Sequence, residues 1–171
     1  MSSVWRYRYL LVSLAVAATC IGCLTSQFSL DTEDHAKFDQ AFVGDWQVEG
    51  GDQANPKKLI IRNLDYKHYY VELDDPSEKP MRMSGYITKV KNVPFANLHE
   101  LTTDGTIPDA FYITRIELLD GKISVRQLND KFFQEKKIES SSDLRKLVGD
   151  NLNNPEMYDK DGSFTAVKAG S

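Results

Sequence analysis

The chain has 171 residues, a formal net charge of −4 and only two cysteines, Cys20 and Cys23. The acidic balance argues against nucleic acid and against electrostatic adhesion to anionic lipid. With both cysteines in the first 23 residues, the 149 residues from Cys23 onward suit one domain with a sizeable core and no internal disulfide.

The chain opens MSSVWRYRYLLVSLAVAATCIGC: Arg6 and Arg8 precede an uncharged run from Tyr9 to Gly22. This is the charged–apolar–small pattern of an export signal, and the run is short for a spanning helix of about 20 apolar residues. A retained signal-anchor is the competing reading. The small Gly22 directly before Cys23 resembles the bacterial lipobox, in which the thiol is diacylated and becomes the first residue. The resemblance implies lipid attachment at Cys23, with Cys20 as the alternative acceptor. It also implies a bacterial cell-envelope protein on the periplasmic face, with Leu24 favouring the outer over the inner membrane. Loss of Arg6 and Arg8 from the 21 basic residues leaves 19 against 25 acidic ones, a net charge of −6. The expected organisation is a signal peptide over 1–22, a tether over 23–31 and a single barrel domain over 32–171.

After the tether, Thr32 is placed to cap a brief helix reaching Phe42, with Glu33 and Asp34 in its first turn. Period-two alternation then dominates for almost ninety residues. Strands are expected near 43–49, 57–64, 66–73, 80–91, 94–102, 110–119 and 122–129, with Tyr69, Val71 and Leu73 opposed to His68, Tyr70 and Glu72. Asp74-Asp75-Pro76, Asn92-Val93-Pro94 and residues 103–109 carry turn chemistry. Asp120-Gly121 joins two strands with two residues, as a type I′ hairpin demands. Connections this short make neighbouring strands antiparallel.

Asp130 is then read as the cap of a short turn, and Ser140 with Asp143 as a capping box. Leu144, Leu147, Val148 and Leu152 fall on one face of the helix that follows, which Gly149 or Asn154-Pro155 ends or kinks. A last strand is expected near 162–168. The predicted fold class is mainly β: an antiparallel up-and-down eight-stranded barrel with a short N-terminal helix and a helix before the last strand. Eight strands suffice to close a sheet and remove its edges, an open meander being the alternative.

Gly44-Asp45-Trp46 at the start of the first strand resembles the Gly-x-Trp opening of lipocalins and their calycin relatives. The resemblance implies a lipocalin-like barrel whose closed end is plugged by Trp46 beneath a basic side chain of the last strand, here Lys168. A looser similarity links Trp46-x-Val48, residues 70–73, 85–90 and 95–98 to uncharacterised small bacterial envelope proteins, and it brings no activity with it.

Candidate chemistry is sparse. His35, His68 and His99 share no ligand spacing, no Gly-x-Ser-x-Gly elbow is present, and Asp159-Lys160-Asp161-Gly162 is an incomplete calcium pattern. No metal or cofactor is expected. An enzymatic reading has one seed, His68 with Tyr70 and Glu72 alternating along a strand about 7 Å apart. The aromatics carry more: Tyr69, Tyr70, Tyr86 and Tyr112 are candidates to line an apolar ligand cavity, against the alternative of a barrel filled by its own side chains. The reading is a non-catalytic lipoprotein, held to the bilayer through acylated Cys23, that binds a small apolar ligand. The alternative is an assembly module that docks an envelope protein.

Overall fold

The structure is a computed structural model describing residues 25–50, 52, 54–102 and 109–170; the signal segment, Cys20 and Cys23 lie outside the described residues. Among the described residues, nine strands form one antiparallel sheet: β1 (Thr25–Ser26), β2 (Gly44–Val48), β3 (Lys58–Asn63), β4 (His68–Asp74), β5 (Met81–Val90), β6 (Val93–Glu100), β7 (Phe111–Leu119), β8 (Lys122–Gln127) and β9 (Phe164–Lys168). Strands β2 to β8 pair in sequence, and β9 inserts between β8 and β2. Eight strands thus close into a barrel with no free edge. The ninth, β1, is a two-residue addition on β7, with Thr25 opposite Tyr112 and Ser26 opposite Phe111.

The alternation read from the sequence sets the two faces of the wall. Trp46, Ile61, Tyr69, Val71, Leu98 and Ile123 point inward and form the interior core. The opposite register of β5, β6 and β7 presents Val90, Phe95 and Ile113 outward, where a second apolar cluster forms under the connection between β8 and β9. That connection carries α1 (Asp130–Gln134) and α2 (Ser141–Asp150). The α2 face predicted to be apolar packs there, with Leu144 and Val148 fully buried. The Ser140 hydroxyl accepts from the Asp143 N–H at 3.1 Å, and the Asp143 carboxylate reaches back to accept from the Glu139 N–H at 3.2 Å, so the expected cap closes reciprocally. α2 runs through Gly149 to Asp150, and α1 is capped by the Asn129 side chain rather than by Asp130.

At the β7–β8 hairpin Asp120 has φ 51° and Gly121 φ 76°, the two positive angles of a type I′ turn. A second such turn joins β5 to β6, with φ 48° at Lys91 and 69° at Asn92. The break expected at Asn92-Val93-Pro94 therefore lies one residue earlier, and Val93 and Pro94 belong to β6. Pro94 fits because Val90 opposite Val93 closes the hairpin, which leaves the Lys89–Pro94 pair without mutual hydrogen bonds. On the β7 side, pairing starts only at Phe95, so no partner needs a Pro94 N–H.

The segment before β2 departs most from expectation. Residues 32–42 form no α-helix; two 3-10 turns, Glu33–His35 and Gln40–Phe42, flank an extended Ala36. Thr32 makes no side-chain cap, whereas the Asp39 carboxylate accepts from the Ala41 N–H at 2.9 Å. The reason is competition for the backbone: the Lys37 N–H bonds the Ile87 carbonyl of β5 at 3.1 Å instead of closing a helical turn. The expected tether is also docked from Thr25 on. Leu30 is 1% exposed, and its N–H donates to the Asn97 carboxamide at 2.7 Å. Residues 25–42 are thus a strap that runs down the outer wall and crosses one end of the barrel.

Candidate functional site

The two ends of the barrel differ. At the end where β2 starts and β9 finishes, the strap, Phe42 and Trp46 form a plug. Trp46 is 2% exposed, and its indole N–H donates to the Phe42 carbonyl at 3.0 Å. Lys168 stands opposite Trp46 in the β2–β9 pair, with Nζ 5.7 Å from the indole centroid. Gly44 has φ 154°, a backbone conformation that side-chain-bearing residues rarely adopt, which accounts for the glycine two residues before the tryptophan. Phe38 stacks on Tyr69 at 4.7 Å, and the Tyr69 hydroxyl both accepts from the Asp39 N–H (2.5 Å) and donates to the Asp39 carbonyl (3.2 Å). Burial pushes the Tyr69 hydroxyl pKa up, so it stays a neutral donor.

Above this plug the interior is not filled. A cavity of about 390 Å³ runs up the barrel, walled by Ile61, Val71, Met83, Leu98, Ile116 and Val125. Its floor is Phe42, and its mouth is ringed by Lys57, Glu78, Met81, Asp161 and Phe164 from the opposite end. The wall is apolar because each strand contributes its inward register, while charged side chains appear only at the rim. Lys57 is paired with Asp75 at 3.3 Å. The volume falls within the range of small-molecule sites, roughly 300–1,000 Å³.

The four candidate tyrosines separate. Tyr69 and Tyr112 border the cavity, whereas Tyr86, opposite His68 and Asn97, projects from the outward register. Tyr69 is committed at the plug, and the Tyr86 hydroxyl donates to the Asp31 carbonyl of the strap at 2.9 Å. Tyr112, near the mouth, donates to Glu100 at 3.3 Å. Tyr70 does not border the cavity. It lies on the outward register with His68 and Glu72, and its hydroxyl donates to the Glu72 carboxylate, which also holds Arg82 at 3.0 Å. His68 bonds Asp65 at 2.8 Å and lies 3.5 Å from Glu33. On the outer wall Tyr70 and Glu72 thus pair with each other, while His68 turns to Asp65 and Glu33.

Among the described residues, no group of three His, Cys, Asp or Glu side chains is arranged to hold a metal ion. Asp159 instead accepts from the Asp161 N–H at 3.1 Å, an Asx turn. No described helix is long and apolar enough to cross a membrane. The large exposed apolar side chains among the described residues include Leu64 and Tyr66 by the β3–β4 hairpin and Leu119 by the β7–β8 hairpin. These hairpins lie on opposite sides of the barrel, so the residues make no joint patch.

The polar latch beneath the strap gave no sign in the sequence. Asn97 is 0% exposed on the outward register, accepting from Leu30 and donating to the Thr88 hydroxyl at 3.0 Å. Arg145 of α2 reinforces the strap by gripping the Asp31 carboxylate at 2.7 Å and the Lys89 carbonyl at 2.6 Å. Burial alone would raise the Asp31 pKa; the His35 and Thr32 hydrogen bonds and the Arg145 charge outweigh it and hold the carboxyl below its usual range.

No family model matches the chain, and no curated protein or solved structure matched it either.

Proposed function

We propose that this protein is a lipid-anchored, non-catalytic lipoprotein of the bacterial envelope that binds a small apolar ligand inside its barrel. The observation that carries the reading is the open, apolar cavity of about 390 Å³ with charges confined to its mouth. Transfer of an apolar molecule into such a space is favourable by roughly 25 cal/mol per Å² of surface removed from water. The anchor is acylated Cys23, at the end of a charged–apolar–small signal. Several acyl chains, at roughly 0.8 kcal/mol per buried methylene, hold such a protein firmly to its membrane.

The test is a titration of the processed protein in detergent-free nanodiscs with an uncharged, environment-sensitive naphthylamine dye. Saturable one-to-one binding is expected, weakened by at least about tenfold in Ala96→Phe or Leu98→Phe, each of which places a ring in the cavity. Thermal unfolding of the same variants shows whether the fold survives. Failure of the unaltered protein to bind saturably, or equal binding by folded variants, contradicts the reading.

A further inference from the structure

The strap enters the fold beside the mouth. Thr25 pairs with Tyr112, one residue into β7 from the end at which the cavity opens. A continued β1 would meet the wall: the Ile113 carbonyl, next along β7, receives the Leu128 N–H at 3.5 Å, and Thr114 is paired with Gln127. The β7 edge is therefore taken from Ile113 on, and β1 has no further partner along it. Only Leu24 separates Thr25 from Cys23, so the two Cα atoms are at most about 7 Å apart in any conformation. The C-terminal strand ends at Lys168, beside the plugged end.

We infer that the mouth rim is a membrane-contact surface: the barrel is held with its opening against the bilayer, and its ligand is an amphiphile that exchanges directly with the lipid phase. A tether of this length keeps the Thr25 end of the barrel nearer the bilayer than the plugged end. The plugged end, roughly 20–25 Å away along the tilted strands, is kept in water. The rim suits this placement, with Met81 and Phe164 beside Lys57, Glu78 and Asp161. Such a ring mixes apolar side chains with charges of both signs, as headgroups require. The orientation follows from where the chain enters the fold, so it is the same whether residue 23 is acylated or the signal is retained as an anchor. The orientation rests on the proposed function for membrane attachment alone, and the exchange of an amphiphile rests on its ligand reading as well.

The experiment uses full-length protein, processed by a lipoprotein-competent host and reconstituted in vesicles, with one fluorophore on Lys79→Cys at the mouth or Tyr66→Cys at the plugged end. Both positions are exposed. Quenching by nitroxide-headgroup lipids is expected to be severalfold stronger at position 79 than at 66. Equal or reversed quenching overturns the inference. So does a mouth label shielded from lipid and aqueous quenchers alike, which would mean that protein or the chain's own leader covers the opening. Flotation of the unlabelled protein is read separately: failure to float removes the anchor, and the inference with it. Asymmetric quenching without dye binding would sustain the orientation and sink only the ligand reading.

Discussion

Replacing Asn97 with alanine isolates the latch that holds the strap to the wall. The Asn97 side chain is fully buried and makes two hydrogen bonds, from the Leu30 N–H at 2.7 Å and to the Thr88 hydroxyl at 3.0 Å. Its amide orientation is fixed by the first, because a backbone N–H requires an acceptor. Alanine removes both bonds and leaves the Leu30 N–H desolvated without a partner. An orphaned buried donor costs about 1–3 kcal/mol, and each lost neutral bond about 0.5–1.5 kcal/mol net. The expected destabilisation is thus about 2–4 kcal/mol, against a total stability of about 5–15 kcal/mol for a domain. Urea unfolding should show the loss as a lower midpoint, and heating as a Tm lower by about 2–4 °C per kcal/mol. Amide exchange at Leu30 and Lys37 should accelerate more than at Ile123, because the strap detaches before the barrel opens. A loss below about 0.5 kcal/mol with unchanged strap exchange would refute the latch, since it lies under the cost of a single orphaned donor.

Three further outcomes follow from the same geometry. Lys168→Met should lower stability by about 0.5–1 kcal/mol in urea, the worth of an ammonium over an indole at a wet site; equal stability would contradict a role for the pair. Gly121→Ala places a Cβ at φ 76°, at a cost of about 1–2 kcal/mol; a Tm that stays level or rises would contradict the turn assignment. The carboxyls of Asp31, Glu72 and Asp143 are held below their ordinary pKa values. Arg145 assists at Asp31, while hydrogen bonds from Tyr70 and Ser140 come first at the other two. A lowered folded-state pKa gives stability that is present above the ordinary carboxylate range and lost as pH falls through the folded value. Tm should therefore hold down to about pH 5 and decline below about pH 4, and a Tm rising on acidification would contradict these partners.

Much of the barrel was legible because strand periodicity and turn chemistry are local. Two-residue hairpins need positive φ, and Asp120-Gly121 announces that in two letters, whereas Lys91-Asn92 reaches the same geometry with residues that signal it weakly. The Gly-x-Trp start directed attention to Trp46 and Lys168, which stand opposite each other in the β2–β9 pair. Tyr70 was separable in principle: the alternation already set it apart from Tyr69, and a cavity takes only one register. The strap was illegible because its reasons are distant. Asn97 reads as a solvent-facing polar residue until Leu30, 67 positions earlier, is seen to cover it. Likewise the acidic first turn at Glu33-Asp34 suggested a helix, and the Lys37–Ile87 bond across the barrel end prevents one. The void was not readable either, since Ala96 and Leu98 look the same in a filled barrel as in a hollow one.

Native mass spectrometry of the processed protein, released gently from its own membrane, tests the ligand-binding claim most directly. The account predicts a discrete non-covalent adduct of small apolar mass that is lost on denaturation and absent in folded Ala96→Phe. A clean apo mass, with no adduct on addition of extracted envelope lipid, would contradict it.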